Sequence, residues 1–155
     1  MLKIEIVGID DLTGNLLIDV DDHPNNGNSQ VVKGDSVHWK VRPNCGVKSI
    51  VQIRRKPIVG STDIFSSHPP APQNAEKTFW KAAANINANN YDVYVYSIDW
   101  LQDGSDEERH FDPIISIKPT TYGLFYFLLL PVAAFCAFTA MQFLRGKKKK
   151  NQSPF

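Results

Sequence analysis

The sequence predicts a mainly-β chain, with a β-sandwich of seven or eight strands over residues 1–118 and one transmembrane α-helix over residues 122–144. Three observations predict it. Apolar and polar residues alternate with a period of two through most of the first 118 positions, the pattern of half-buried strands. The stretches between them carry turn residues, and no long amphipathic helix is visible before residue 119. Residues 122–144, YGLFYFLLLPVAAFCAFTAMQFL, contain no Asp, Glu, Lys, Arg or His.

Taken in chain order, Leu2, Ile4 and Ile6 alternate with Lys3, Glu5 and Val7. Leu16, Ile18 and Val20 alternate with Leu17, Asp19 and Asp21. Residues 19–28, DVDDHPNNGN, are rich in oxygen ligands. With Gly27 at the sixth position of a calcium-binding loop, Pro24 falls on a ligand position and Lys33 replaces the twelfth-position Glu. The stretch therefore reads as a solvated hairpin loop, with Asn26-Gly27 at its tip. Lys33-Gly34-Asp35 turns the chain into a strand in which Val37, Trp39 and Val41 alternate with His38, Lys40 and Arg42. Residues 47–54 form the next strand, and 78–82 a weaker one. Residues 91–100 form the longest, with Tyr91, Val93 and Val95 on one face and Tyr94, Tyr96 and Ile98 on the other. Two partly apolar faces mark a central strand. Asp103-Gly104 marks a turn, and residues 111–118 close the domain.

One long connection, residues 56–77, is rich in Pro and Ser, and its 68–72 tract, HPPAP, has polyproline II character. Long loops often carry function. Phe65, His68, Pro69, Pro70 and Trp80 are therefore candidate partner-binding residues, with plain packing as the competing role. Phe79 and Trp80 are adjacent, so on a strand only one of them enters the core.

At about 1.5 Å per residue, the charge-free stretch makes a helix of about 35 Å, enough for a hydrocarbon layer of about 30 Å. Pro131 is tolerated in such a setting. Tyr122 and Tyr126 suit the interfacial aromatic belt. Arg145, Lys147, Lys148, Lys149 and Lys150 follow at once and favour the cytoplasmic side, making residues 145–155 a basic cytoplasmic tail. The linker, residues 119–121, is too short for a flexible stalk.

Charge divides along the same boundary. Twelve Lys and Arg against 16 Asp and Glu give the soluble part −4, and the five tail cations bring the chain to +1. An acidic domain argues against nucleic acid as a partner. The basic tail places the domain on the non-cytoplasmic side. Against this, MLKIEIVGIDD lacks the apolar core of a signal peptide, which favours a tail-anchored, cytosolic orientation. Cys45 lies in the domain and Cys136 in the span, so no disulfide within the domain is expected.

Other clusters read as surface. His23, His38, His68 and His110 have no ligand-like spacing. Asp103, Asp106, Glu107, Glu108 and Asp112 form an acidic loop, and Arg54-Arg55-Lys56 a basic strand end. No G-x-S-x-G, phosphate loop, H-E-x-x-H or C-x-x-C is present, so no catalysis is expected.

The order of strands resembles a known family. Residues 31–41, VVKGDSVHWKV, resemble the turn, Gly-Asp and Val-x-Trp strand of cupredoxin-like domains. Residues 91–98, YDVYVYSI, resemble their penultimate strand, although Asn90 stands where Gly is usual. Residues 111–119, FDPIISIKP, resemble their closing strand. Immunoglobulin-like sandwiches carry similar short motifs, so both plans stay open. A blue-copper centre needs two His, a Cys and usually a weak axial Met. In cupredoxins three of these normally cluster after the penultimate strand. Residues 97–104, SIDWLQDG, hold no Cys, Met or His, and the nearest His is the more distant His110. The resemblance thus implies the scaffold without its copper, and neither cofactor nor metal is expected.

The expected function is a non-catalytic, membrane-anchored interaction module, an accessory subunit whose partners are the lipid bilayer and other membrane-protein subunits. Ala133, Ala137 and Ala140 give the span a small-residue stripe that suits close helix approach. The alternatives are a membrane-anchored copper-binding or electron-carrier protein using His38 or His110, and a tail-anchored cytosolic adaptor.

Overall fold

Most of the alternating stretches become strands that turn one apolar face into the core. The computed structural model describes residues 1–67 and 70–119. The predicted span and tail lie outside the described residues. In chain order the strands are β1 (Leu2–Ile9), β2 (Leu16–Val20), β3 (His23–Asn25), β4 (Ser29–Val31), β5 (Ser36–Val41) and β6 (Val47–Arg55). They continue as β7 (Ala71–Pro72), β8 (Phe79–Ala83), β9 (Val93–Gln102), β10 (Glu108–Phe111) and β11 (Ile114–Ile117). Among the described residues no helix is long and apolar enough to cross a membrane.

Two mixed sheets result. The first runs β3-β2-β1-β5-β8-β7, and the second runs β10-β9-β11-β4 with β6 also paired to β9. Most pairs are antiparallel, but β1 lies parallel to β5 and β4 parallel to β11. The inward set comprises Leu2, Ile4 and Ile6 of β1, Val37, Trp39 and Val41 of β5, Tyr94, Tyr96, Ile98 and Trp100 of β9, and Ile115 and Ile117 of β11. Each such side chain contributes about 1.5–3 kcal/mol on burial. An aromatic cluster holds the centre. Phe65 meets Trp39 and Tyr94 edge-on, with centroids 5.8 and 4.9 Å apart. Trp39 Nε1 donates to Tyr96 Oη at 3.2 Å, which satisfies both buried polar atoms. Burial raises the pKa of both Tyr94 and Tyr96 well above the usual phenol value.

Four short strands, β3, β4, β7 and β10, exceed the seven or eight expected. The expected strand 111–118 is broken at buried Pro113 into β10 and β11. Tyr91 is not in the longest strand: its φ of 69° puts it in a turn, exposed, and β9 starts at Val93. In β6 the inward residues Val47, Ile50 and Ile53 are spaced by three rather than two. Two register shifts against β9, between Val47 and Ser49 and between Ile50 and Gln52, account for this. The Pro-rich connection is pinned rather than loose, through bridges Ser61–Val93 and Phe65–Ala84 and through β7 on β8.

Candidate functional site

The sandwich turns polar side chains of β6, β9 and β10 onto the outer face of its second sheet. Tyr94, Tyr96, Ile98 and Trp100 point inward, so strand alternation sends Ser97 and Asp99 outward. Asp99 nevertheless has no exposed surface, because side chains of both neighbouring strands fold over it. Its Oδ2 accepts from Gln52 Nε2 and Arg54 Nε, each at 2.7 Å. Its Oδ1 accepts from Ser97 Oγ at 2.8 Å and meets His110 Nδ1 at 2.7 Å. An ionised carboxylate only accepts, so Nδ1 carries the proton and Nε2 is the ring's free position. Burial pulls the Asp99 pKa upward, but the donors Arg54, Ser97, His110 and Gln52 outweigh it and hold the carboxyl below its ordinary value.

What this cluster can do chemically follows from its connectivity. Nucleophilic activation needs a histidine between hydroxyl and carboxylate. Here the carboxylate stands between Ser97 and His110, so the Ser97 hydroxyl is spent on Asp99. Asp99, Glu108 and His110 also bring three possible metal-ligand atoms within 4.8 Å of one another. All four donors already engage the Asp99 oxygens, and one is the Arg54 guanidinium. A cation would have to displace the His110 proton and sit beside a fixed positive charge. The arrangement fits an ion-pair hub that locks β6, β9 and β10 together.

A second feature lies on the outer face of the first sheet. Met1, Lys3, His38, Lys40, Asn74, Thr78 and Phe79 line an open groove of about 480 Å³. His38 rests edge-on against Phe79, with centroids 5.3 Å apart. Its Nε2 is buried without a hydrogen-bond partner. Burial, then the nearby Lys81 and the N-terminal amine, lower the His38 pKa, which favours the neutral ring. Ion pairs lace the same face: Lys3 with Asp22 at 2.6 Å, and Arg42 with Glu5 at 2.7 Å and Asp19 at 3.2 Å.

The residues expected to bind a partner are placed mostly inside. Phe65 is in the aromatic core, Pro70 is buried, and Trp80 is buried with its Nε1 donating to Lys77 O at 3.0 Å. Trp80 thus takes the inward position and Phe79 the outward one. His68 and Pro69 lie outside the described residues, as do the anchoring residues Tyr122, Tyr126, Arg145, Lys147, Lys148, Lys149 and Lys150. His38 and His110 stand on the outer faces of opposite sheets, so the fold does not bring them into one site. His23 is exposed on β3. Cys45 carries a free, half-buried thiol.

Sequence reasoning missed the Asp99 hub. The available signal was Ser97 and Asp99, two polar residues on one face of a strand otherwise apolar. Compared with known proteins, the chain matches no protein family and no curated relative.

Proposed function

We propose that this chain is a membrane-tethered, non-catalytic interaction module: a cupredoxin-like sandwich without a copper centre, serving as an accessory subunit beside other membrane proteins. The observation that carries the reading is the charge-free stretch 122–144 and the five cations after it, following a sandwich whose last strand ends at Ile117. Tyr122, Tyr126, Arg145, Lys147, Lys148, Lys149 and Lys150 are the anchoring residues in this reading. The basic tail faces the cytoplasm and the sandwich faces away from it.

One feature supports the cupredoxin-like plan over the immunoglobulin-like one. The stretches carrying the resemblance supply β5, β9 and β11, and the β9–β11 pairing is common to both plans. Immunoglobulin domains are built from antiparallel sheets, whereas each sheet here contains a parallel pair. The separation of His38 from His110 weighs against an electron-carrier role based on a two-histidine copper centre. Polar connectivity around Asp99 supports a structural rather than a catalytic use of Ser97 and His110.

The test is cross-linking on intact cells carrying the full chain, with a membrane-impermeant, amine-reactive reagent. Exposed lysines of the sandwich, Lys40, Lys48, Lys77 and Lys81 among them, are the reactive groups. The expected result is a discrete heavier adduct containing an integral membrane protein. An adduct formed only after lysis would reverse the sidedness and make the chain a tail-anchored cytosolic adaptor. No adduct in either condition would overturn the accessory-subunit reading.

A further inference from the structure

We infer that the end of the sandwich from which the chain leaves β11 is a bilayer-contacting face, seated among lipid headgroups through apolar side chains on its turns. The inference rests on the tethering reading and says which surface the membrane meets.

Topology gathers six chain segments at this end, among them the β2–β3 turn, where Asp21 N donates to Lys3 O at 2.9 Å. β11 finishes here beside the start of β9, with Ser116 opposite Val93, Tyr91 N donating to Ile117 O at 3.0 Å and Ile117 N donating to Asp92 O at 2.8 Å. β4, parallel to β11, ends at the same level, where Lys118 N donates to Val31 O at 2.8 Å. The turn after β4 feeds the start of β5, and parallel β1 begins there too, its terminal amine 2.9 Å from Asp35. β8, antiparallel to β5, ends here and opens the loop 84–92. The turn 57–60 lies beside the first residues of β9, because Lys56 N and Thr62 N donate to Val95 O and Val93 O at 2.8 and 2.7 Å.

These segments carry most of the misplaced apolar surface. Eight large hydrophobic residues are exposed among the described residues, and five of them, Met1, Ile58, Val59, Ile86 and Tyr91, are at this end. Only Leu12 lies at the opposite end, and Leu17 and Ile114 sit on strands. Ile86 and Tyr91 are each 70% exposed, and Val59 is fully so. Exposed apolar groups scattered singly need no explanation, but a gathering on one end marks a binding surface. Tyrosine beside aliphatic residues suits the headgroup layer in particular.

Charge and chain length choose lipid as the occupant. The opposite end carries Asp10, Asp11, Asp103, Asp106, Glu107 and Glu108, a carboxylate-rich surface that is costly to bury in a headgroup layer. The exit end offers the half-buried Lys33 and the exposed Lys118. Its acids are engaged: Asp21 with Lys3 N at 3.0 Å, Asp22 with Lys3 Nζ at 2.6 Å, Asp35 with the terminal amine, Asp92 with Asn89 N at 2.8 Å, and Asp63 with Phe65 N at 3.2 Å. Only residues 120 and 121 separate Pro119 from the apolar stretch, and extended chain spans at most about 3.5 Å per residue. On the tethering reading, this end is therefore the part of the sandwich closest in sequence to the lipid.

The test uses the full chain in phosphatidylcholine–phosphatidylserine vesicles. With Cys45→Ser and Cys136→Ser as background, a polarity-sensitive fluorophore is placed at Val59→Cys, Ile86→Cys or Asp106→Cys, and lipids bearing a headgroup nitroxide serve as quencher. All three positions are exposed, so the labels leave the core intact. The expected result is quenching several-fold stronger at positions 59 and 86 than at 106. Equal quenching at both ends, or stronger quenching at 106, overturns the inference and leaves the apolar turns to a protein partner. A chain that does not float with the vesicles fails the tethering reading itself, an outcome distinct from equal quenching.

Discussion

A carboxylate with no exposed surface must be held by its neighbours, and Asp99 is held by four. Its partners are far apart in sequence: Gln52 is 47 residues away, Arg54 is 45 and His110 is 11. The local pattern shows only Ser97 and Asp99, and the register of β6 and β10 on β9 brings the other three partners to them. The same register argument explains why Trp80 and not Phe79 is inward: Trp80 stands opposite Trp39, and Phe79 opposite Lys40. Asp99→Asn keeps the shape but loses the charge that Arg54 and His110 meet. It should lower stability at pH 7 by about 2 kcal/mol in urea titrations, the scale of charged hydrogen bonds whose half-exposed partners regain water. Because the native carboxyl sits below its ordinary value, its contribution is full above the unfolded carboxylate range. It is lost as pH falls through the lowered native value. The gap between wild type and variant should therefore shrink towards zero in acid. A gap that holds constant with pH would show that the charge of Asp99 is not what holds the cluster.

Strands with enough length to alternate were legible as elements: β1, β2, β5, β6, β8 and β9 all coincide with an apolar-in pattern. The short ones were not, since two to four residues cannot display a period. β3, β4, β7 and β10 owe their conformation to the neighbour they pair with. The break between β10 and β11 had a signal in Pro113, which has no N–H to give a ladder. Turn glycines give the element scale its own test. Gly27 has φ of +85°, and a Cβ there would lie 2.8 Å from Pro113 Cβ and 3.0 Å from Phe111 Cε1. Gly34 has φ of +81° with nothing within 4 Å. Gly34→Ala should therefore cost about 1 kcal/mol, the left-handed backbone penalty alone. Gly27→Ala should cost about 2–3 kcal/mol, since overpacking adds to it. Chemical denaturation of the two variants separates these values, and equal losses would mean that the 19–28 loop is not seated on the β10–β11 break.

At the scale of the whole molecule, the sandwich was legible as a class, but its mixed sheets were not. A parallel partner such as β4 for β11 is separated by more than 80 residues, and period-two alternation is the same for either direction. The long connection looked like a surface loop because of its prolines, yet it delivers Phe65 to the aromatic core. Function was less legible than fold. The candidate partner surface built on Phe65, Pro70 and Trp80 used residues that the core needs, whereas the exposed apolar turns became visible only when topology gathered them. The proposed tether rests on composition alone, on 23 uncharged residues ahead of five cations. Alkaline carbonate extraction of membranes from cells expressing the full chain tests it most directly. The account predicts that the chain stays in the membrane pellet with integral proteins. Release into the supernatant with peripheral proteins would contradict it.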